Sequence, residues 1–278
     1  MTESRVVLIT GASSGIGRAT AAALLAAGHI VYGTSRNPER HASPWRMIAL
    51  DVCDDASVHA AVDLVLAEHG RIDAVVNNAG LVLSGAIEDT GLDEARRQFE
   101  TNVLGIVRMA KAVLPGMRTR RSGVIVNVGS LAGRVGMPFQ GLYSASKFAV
   151  EGLTEALRQE VAEFGVTVAL VAPGDTATGV VDHRVRVAAA LLPTSAYRRD
   201  FERVVESFER DERAGSAPER VAAVIAAIVE GRSTAPRHVV GPLGQRILVG
   251  IRPFVPTRIF QWGMARYFRL GTEPPRAA

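Results

Sequence analysis

Lysine is nearly absent from this sequence. Of its 32 basic residues only Lys111 and Lys147 are lysines, so arginine serves wherever an ordinary surface cation is needed. Cysteine occurs once, at Cys53, which excludes an intramolecular disulfide and suits a reducing compartment. A cytoplasmic location is therefore expected, with Cys53 as a small structural side chain. No uninterrupted apolar run reaches the 18 or more residues that would mark a membrane span. The six histidines are scattered without ligand spacing, so no metal site is expected. Repeats, low-complexity runs and Gly/Ser tracts are missing before about residue 190, and no secretory signal precedes the first apolar run, which begins by Arg5. The net charge of +4 is unevenly held. Residues 243–278 carry six arginines and one glutamate, a surplus of five, which leaves about −1 for the rest. A near-neutral body argues against nucleic acid as a partner.

What is present alternates. Apolar runs of strand length fall near 5–10, 30–35, 46–50, 73–77, 123–128 and 166–171, and helical patterns fill 15–27, 55–68, 92–118 and 142–164. Near-continuous apolar strands between helices predict an α/β fold: a doubly wound parallel sheet with helices on both faces. Gly28 and Gly165 read as helix stops. On the helix over 142–164, Val150, Leu153, Leu157 and Val161 form a stripe facing either the sheet or a second subunit. Residues 218–230 predict a further helix and 237–240 a last strand.

The first strand runs into Thr10-Gly11-Ala-Ser13-Ser14-Gly15-Ile16-Gly17. Glycines here allow a sharp turn and let backbone N–H groups approach a pyrophosphate, which the following helix N-terminus also favours. With a strand before it and an alanine-rich helix after it, this turn predicts dinucleotide binding. An NAD site usually ends its second strand on an acid that grips the ribose 2′-hydroxyl. That acid is missing. Ser35 occupies its place, Arg36 follows, and the nearest carboxylate, Glu39, lies beyond Pro38. A guanidinium can bind a 2′-phosphate bidentately, so NADP(H) is expected over NAD(H). Asp51 and Val52 end the third strand near the adenine, and Asn77-Asn78-Ala79-Gly80 ends the fourth at the edge where ligands of such sheets bind.

Tyr143 and Lys147 stand four apart at the start of a helix, on one face of it. Such a pair is often only a surface contact. Yet a fixed ammonium favours the phenolate and would make the phenol a better acid/base near neutrality. Ser130, after the fifth strand, delivers a hydroxyl to the same edge.

Taken in order, Thr10-Gly11-x-x-x-Gly15-Ile16-Gly17, Asp51, Asn77-Asn78-Ala79-Gly80, Asn102, Ser130, Tyr143-x-x-x-Lys147 and Pro173-Gly174 strongly resemble the short-chain dehydrogenase/reductase family, from about residue 5 to 180. The general character is nearest to members acting on steroid, retinoid or other lipophilic alcohols and ketones. That resemblance implies a Rossmann-type sheet of about seven strands and an oxidoreductase interconverting an alcohol and a ketone or aldehyde. It also implies roles. Tyr143 would donate or accept the proton, Lys147 would lower the Tyr143 pKa and hold the nicotinamide ribose, Ser130 would hydrogen-bond the substrate oxygen, and Asn102 would hold a relay water. Gly11, Ser13, Ser14, Gly15, Ile16, Gly17, Ser35, Arg36, Asp51, Val52, Asn78, Ala79 and Gly80 would bind the cofactor, together with Tyr143 and Lys147. Pro173, Gly174, Thr176 and Thr178 would cradle the nicotinamide. A homodimer or homotetramer is implied through the helices over 92–118 and 142–164.

Residues 1–242 are expected to form one catalytic domain, with substrate loops over about 175–215, and 243–278 a basic, aromatic extension. The apolar stretches 131–140, Val180-Val181 and 185–192 suggest a lipophilic pocket or an apolar lid. The alternating charges of 197–213 suggest an exposed helix face. In the extension, Thr257 is expected to cap a helix with Phe260, Met264, Tyr267 and Phe268 on one face and Arg258, Arg266 and Arg269 on another. Such a helix is expected to dock on the body or a neighbouring subunit in preference to a membrane surface. The competing functions are an NADP(H)-binding regulator without turnover and a membrane-surface reductase of lipids.

Overall fold

The fold was obtained as a computed structural model, and it describes residues 3–179 and 184–271. Val180 and Val181 of the expected lid lie outside them. Seven parallel strands form the main sheet: β1 (Val6–Ile9), β2 (Ile30–Ser35), β3 (Arg46–Ala49), β4 (Ala74–Asn77), β6 (Gly123–Val128), β7 (Val166–Pro173) and β9 (Arg237–Val240). Their order is β3-β2-β1-β4-β6-β7-β9. The chain winds outward from β1 in one direction and from β4 in the other, so the two halves part between them, where ligands of such sheets lie. A short parallel pair, β5 (Leu83–Ser84) with β8 (Val185–Arg186), stands apart.

Alternation along each strand builds two cores. Val6, Leu8, Val75, Ile125 and Val168 point to one face, against Val58, Val62 and Val65 of α2 (Asp55–His69) and Met109, Val113 and Met117 of α4 (Gly105–Arg120). Val7, Ile9, Val76, Val126 and Val171 point to the other, against Ala21 and Leu24 of α1 (Gly15–Ala26) and Val221, Ile225 and Ile228 of α7 (Pro218–Val229). Strands buried on both faces explain why the sequence reads as continuous apolar runs. On α5 (Gly141–Glu160) the stripe resolves toward the sheet: Val150 packs with Leu170 and Ala172, and Leu153 lies against them.

Two helical expectations change in detail. The run predicted over 92–118 begins as α3 (Leu92–Phe99), widens into a π-type turn over Glu100–Leu104, and continues as α4. The extra residue in that turn swings Asn102 inward, where it is buried. The charged helix α6 (Arg198–Arg213) is exposed on one face only. Its other face buries Phe201, Val204, Val205 and Phe208.

The extension folds into α8 (Leu243–Ile251) and α9 (Thr257–Tyr267). Thr257 is the first residue of α9 and not its cap; that place falls to Pro256, and no side chain caps the helix. The aromatic face docks on the body as follows. Phe260 and Phe268 are buried, and the Phe268 ring meets Phe208 of α6 edge-on with centroids 5.0 Å apart. Tyr267 donates its hydroxyl to Asp211 at 2.6 Å.

Candidate active site

Every parallel strand of the main sheet delivers its carboxyl end to one edge, and a cleft of about 1410 Å³ opens there. Its floor starts at the glycine turn. Gly11 (φ 67°) and Gly15 (φ 53°) adopt left-handed backbone that other residues resist. Gly17 is needed for a different reason: a Cβ there would lie 2.3 Å from the Gly11 carbonyl oxygen. Neighbouring Ser14 makes no side-chain cap to α1, which leaves that helix's first N–H groups to an anionic ligand.

This turn is held by a second one. Asn78 donates from Nδ2 to the Thr10 and Gly11 carbonyls at 3.0 and 2.9 Å. Thr10 Oγ1 in turn accepts from the backbone N–H of Asn78 at 2.9 Å and of Ala79 at 3.0 Å. The Asn78 side chain is therefore a brace between β1 and β4, and only its outer surface meets the cleft. Thr10 completes the brace, a role the sequence reading did not give it.

Ser13, Ser14, Ile16, Ser35, Arg36, Asp51, Val52, Ala79, Gly80, Ser130, Pro173, Gly174, Thr176 and Thr178 all line the cleft with the turn glycines Gly11 and Gly15. Arg36 is exposed at its rim. Asp51 folds its carboxylate onto its own loop, accepting from the Cys53 N–H at 2.9 Å. Cys53 is exposed on the cleft wall, 3.4 Å from the Thr101 hydroxyl, where the sequence reading had made it structural. Gly17 and Asn102 lie behind the wall.

Tyr143 and Lys147 project from the first two turns of α5. Lys147 is buried and donates from Nζ to the Val128 carbonyl at 2.9 Å, with Nζ 5.9 Å from the Tyr143 ring centroid. Asn102 ties this helix to the loop after β4. Its amide brackets Leu81, accepting from the Leu81 N–H at 2.7 Å and donating to the Leu81 carbonyl at 3.0 Å, and donates to Ser146 Oγ at 3.0 Å. Ser146 passes the link on to the Tyr143 carbonyl at 2.7 Å. Ser130 starts a short turn by accepting from the Ala132 N–H at 3.1 Å.

The electrostatics differ from expectation. Burial pushes the Tyr143 phenol above its ordinary value; the neighbouring Ser130 hydroxyl acts in the opposite sense and does not overcome it. Lys147 is drawn down to about 8 by burial. Desolvation is the largest influence on both groups, which share one low-dielectric pocket.

Facing Tyr143 is a polar cluster that sequence spacing could not reveal. Arg184, its side chain fully buried, donates from Nη1 to Ser84 Oγ at 2.9 Å and from Nη2 to both carboxylate oxygens of Glu212 at 2.5 and 2.6 Å. Asp175 is pushed up by burial, and a Gln245 hydrogen bond pulls the other way. Gln245 also accepts from the Asp175 N–H at 3.0 Å, tying α8 to the end of β7. Thr176 turns its hydroxyl to the Gly174 carbonyl at 2.9 Å, and Thr178 packs over Gly15. Apolar side chains line the rest of the cleft toward its mouth: Leu131, Val135 and Met137 from the body, and Leu248, Val255 and Ile259 from the extension.

This cleft suits a nicotinamide dinucleotide. A Cβ at Gly11 would approach Ala79 to 3.0 Å, so glycine lets the turn close against the loop after β4, and the uncapped start of α1 beside it offers N–H groups to a pyrophosphate. Its walls also bring a phenol, a hydroxyl and an ammonium to one place. Comparisons agree. A family model for short chain dehydrogenases matches residues 5–187. The 3-ketodihydrosphingosine reductase of Bacteroides thetaiotaomicron is 41% identical over 268 residues, spanning 96% of this chain and 99% of that protein. Retinol dehydrogenase 8 of Bos taurus is 36% identical over 245 residues, spanning 81% and 78%. Among solved structures, a short-chain dehydrogenase from Streptomyces avermitilis superposes with a TM-score of 0.78 at 33% identity, covering 95% of this chain and 99% of its own.

Proposed function

The chain belongs to the short-chain dehydrogenase family, oxidoreductases of CH–OH and keto groups, and from that membership we propose that it uses NADPH to reduce a lipophilic ketone. The observation that carries the reading is the convergence of Tyr143, Ser130 and Lys147 in one cleft whose mouth is apolar. The cofactor supplies the hydride. Ser130 and Tyr143 hold the substrate oxygen, Tyr143 gives it a proton as charge develops, and Lys147 keeps the phenol's surroundings positive. Asn102 positions this group through Ser146 and serves a relay that returns a proton to Tyr143. The apolar mouth and the name of the Bacteroides relative make 3-ketodihydrosphingosine the first ketone to test. Cofactor oxidation with that ketone, measured against a panel of small ketones, tests the reading; binding of NADPH with no turnover on any of them would leave a regulator instead.

NADPH is preferred on account of Arg36 and the missing acid at Ser35. Arg36→Leu is expected to weaken NADPH binding about 10- to 100-fold, the worth of a charge-assisted bidentate contact, and to leave NADH nearly unchanged. Fluorescence titration of both cofactors checks this, and tighter NADH binding by the unsubstituted protein would overturn it.

The depressed Lys147 gives a pH signature. Below pH 8 the ligand-free lysine is already charged, as the anionic cofactor requires. Above pH 8 binding must recharge it, so affinity is expected to fall by up to about tenfold per pH unit, with one proton taken up. Calorimetry in buffers of different ionisation enthalpy reads that proton, and Lys147→Met should abolish both proton uptake and slope.

A homodimer or homotetramer through the outer faces of α4 and α5 completes the reading. Leu104, just before α4, and Phe148, on α5, expose 41% and 46% of their surface.

A further inference from the structure

Helix α8 buries none of its nine residues, although it is mostly apolar. Leu243 and Ile247 stand about one turn apart on its outward side, Ile251 a turn further on borders the cleft, and the exposed ground continues into Phe254, which is 86% exposed. Ile259 at the start of α9 joins them, half exposed. Arginines border this apolar ground: Arg246 and Arg258 are exposed within it, and residues 243–271 contain five arginines and no acid. The same segment also forms part of the cleft mouth, where Leu248, Ile251, Val255 and Ile259 face inward or border the opening.

We propose that α8 and the Phe254 turn dock this protein on an anionic lipid bilayer, with the cleft mouth opening at the membrane surface. Two faces of the extension do different work. The aromatic face of α9 is spent on the body through Phe260 and Phe268, whereas the face of α8 has no counterpart among the described residues. Large exposed apolar side chains rimmed by cations match the interface of an anionic leaflet, where the apolar groups enter the headgroup boundary and the guanidiniums meet phosphate. A second copy of the chain fits less well. A self-complementary contact through this face would set arginine against arginine with no acid to relieve it. Nor does a span arise, since no helix among the described residues is long and apolar enough to cross a membrane. The protein lies on the surface, and a lipophilic molecule reaches the cleft without crossing water.

Vesicle flotation with the full chain tests this without any substrate, so its outcome is separate from that of the reductase reading. Wild-type protein is expected to float with phosphatidylcholine vesicles containing phosphatidylglycerol at low salt, and to be released as salt rises. Ile247→Glu with Phe254→Glu, at two positions outside the cleft lining, should lower the bound fraction at least about tenfold. Cofactor affinity and thermal unfolding in that variant should match wild type, which shows that it folds. Wild-type protein that stays unbound on anionic vesicles at low salt overturns the proposal. So does a double variant that floats as well as wild type. A wild-type oligomer that the double substitution breaks into monomers, with no vesicle binding by either, reassigns the face to a second copy of this chain.

Discussion

Tyr143→Phe is expected to bind cofactor with unchanged affinity and to turn over about 10²- to 10⁴-fold more slowly, the usual contribution of a positioned acid/base. The substitution removes one oxygen. The ring stays against Lys147, and the glycine turn, Arg36 and the Asn78 brace are untouched, so binding has no reason to change. What disappears is the phenol that lines the cleft beside Ser130. Steady-state rates by cofactor absorbance, with cofactor affinity by fluorescence quenching, separate the two quantities. A rate within a few-fold of wild type would take the proton-transfer role away from Tyr143.

Glu212→Ala is expected to cost about 3–5 kcal/mol of stability, because it strands the Arg184 guanidinium in the interior with Ser84 as its one remaining side-chain hydrogen-bond partner among the described residues. For a domain of this size that corresponds to a drop in Tm on the order of 10 °C. Replacing both partners by apolar residues, Arg184→Met with Glu212→Leu, should recover much of the loss, since the cost lies in the uncompensated charge more than in the lost pair. Thermal unfolding of the three variants forms a complete cycle. A single-variant loss near zero would mean that solvent reaches Arg184. Because Glu212 also raises the Tyr143 pKa, its removal is expected to move the activity profile of whatever folded enzyme remains toward lower pH.

The legible part of this protein is its local part. Strands such as Val6–Ile9 and Gly123–Val128 are buried along their whole length, so each announced itself as an apolar run, and the glycine turn, Tyr143 and Lys147 stand at fixed short spacings that chemistry dictates. The π-type turn was hidden because Glu-Thr-Asn-Val-Leu has ordinary helical composition; only packing against Leu81 and Ser146 shows why Asn102 must swing inward. Arg184–Glu212 and Asp175–Gln245 were beyond reach for another reason. Their partners are separated by 28 and 70 positions, and no period links them. Burial, which a sequence does not display, draws the Lys147 pKa down to about 8 and pushes the Tyr143 phenol up.

The cleft draws its parts unequally from the chain. Every side chain proposed for cofactor binding or proton transfer precedes residue 180, whereas residues 185–268 furnish much of the remaining cleft lining. Substitutions in α8 and α9 can therefore alter which molecules enter while leaving the side chains around Tyr143 and Lys147 in place, and substitutions near Gly17 or Lys147 cannot.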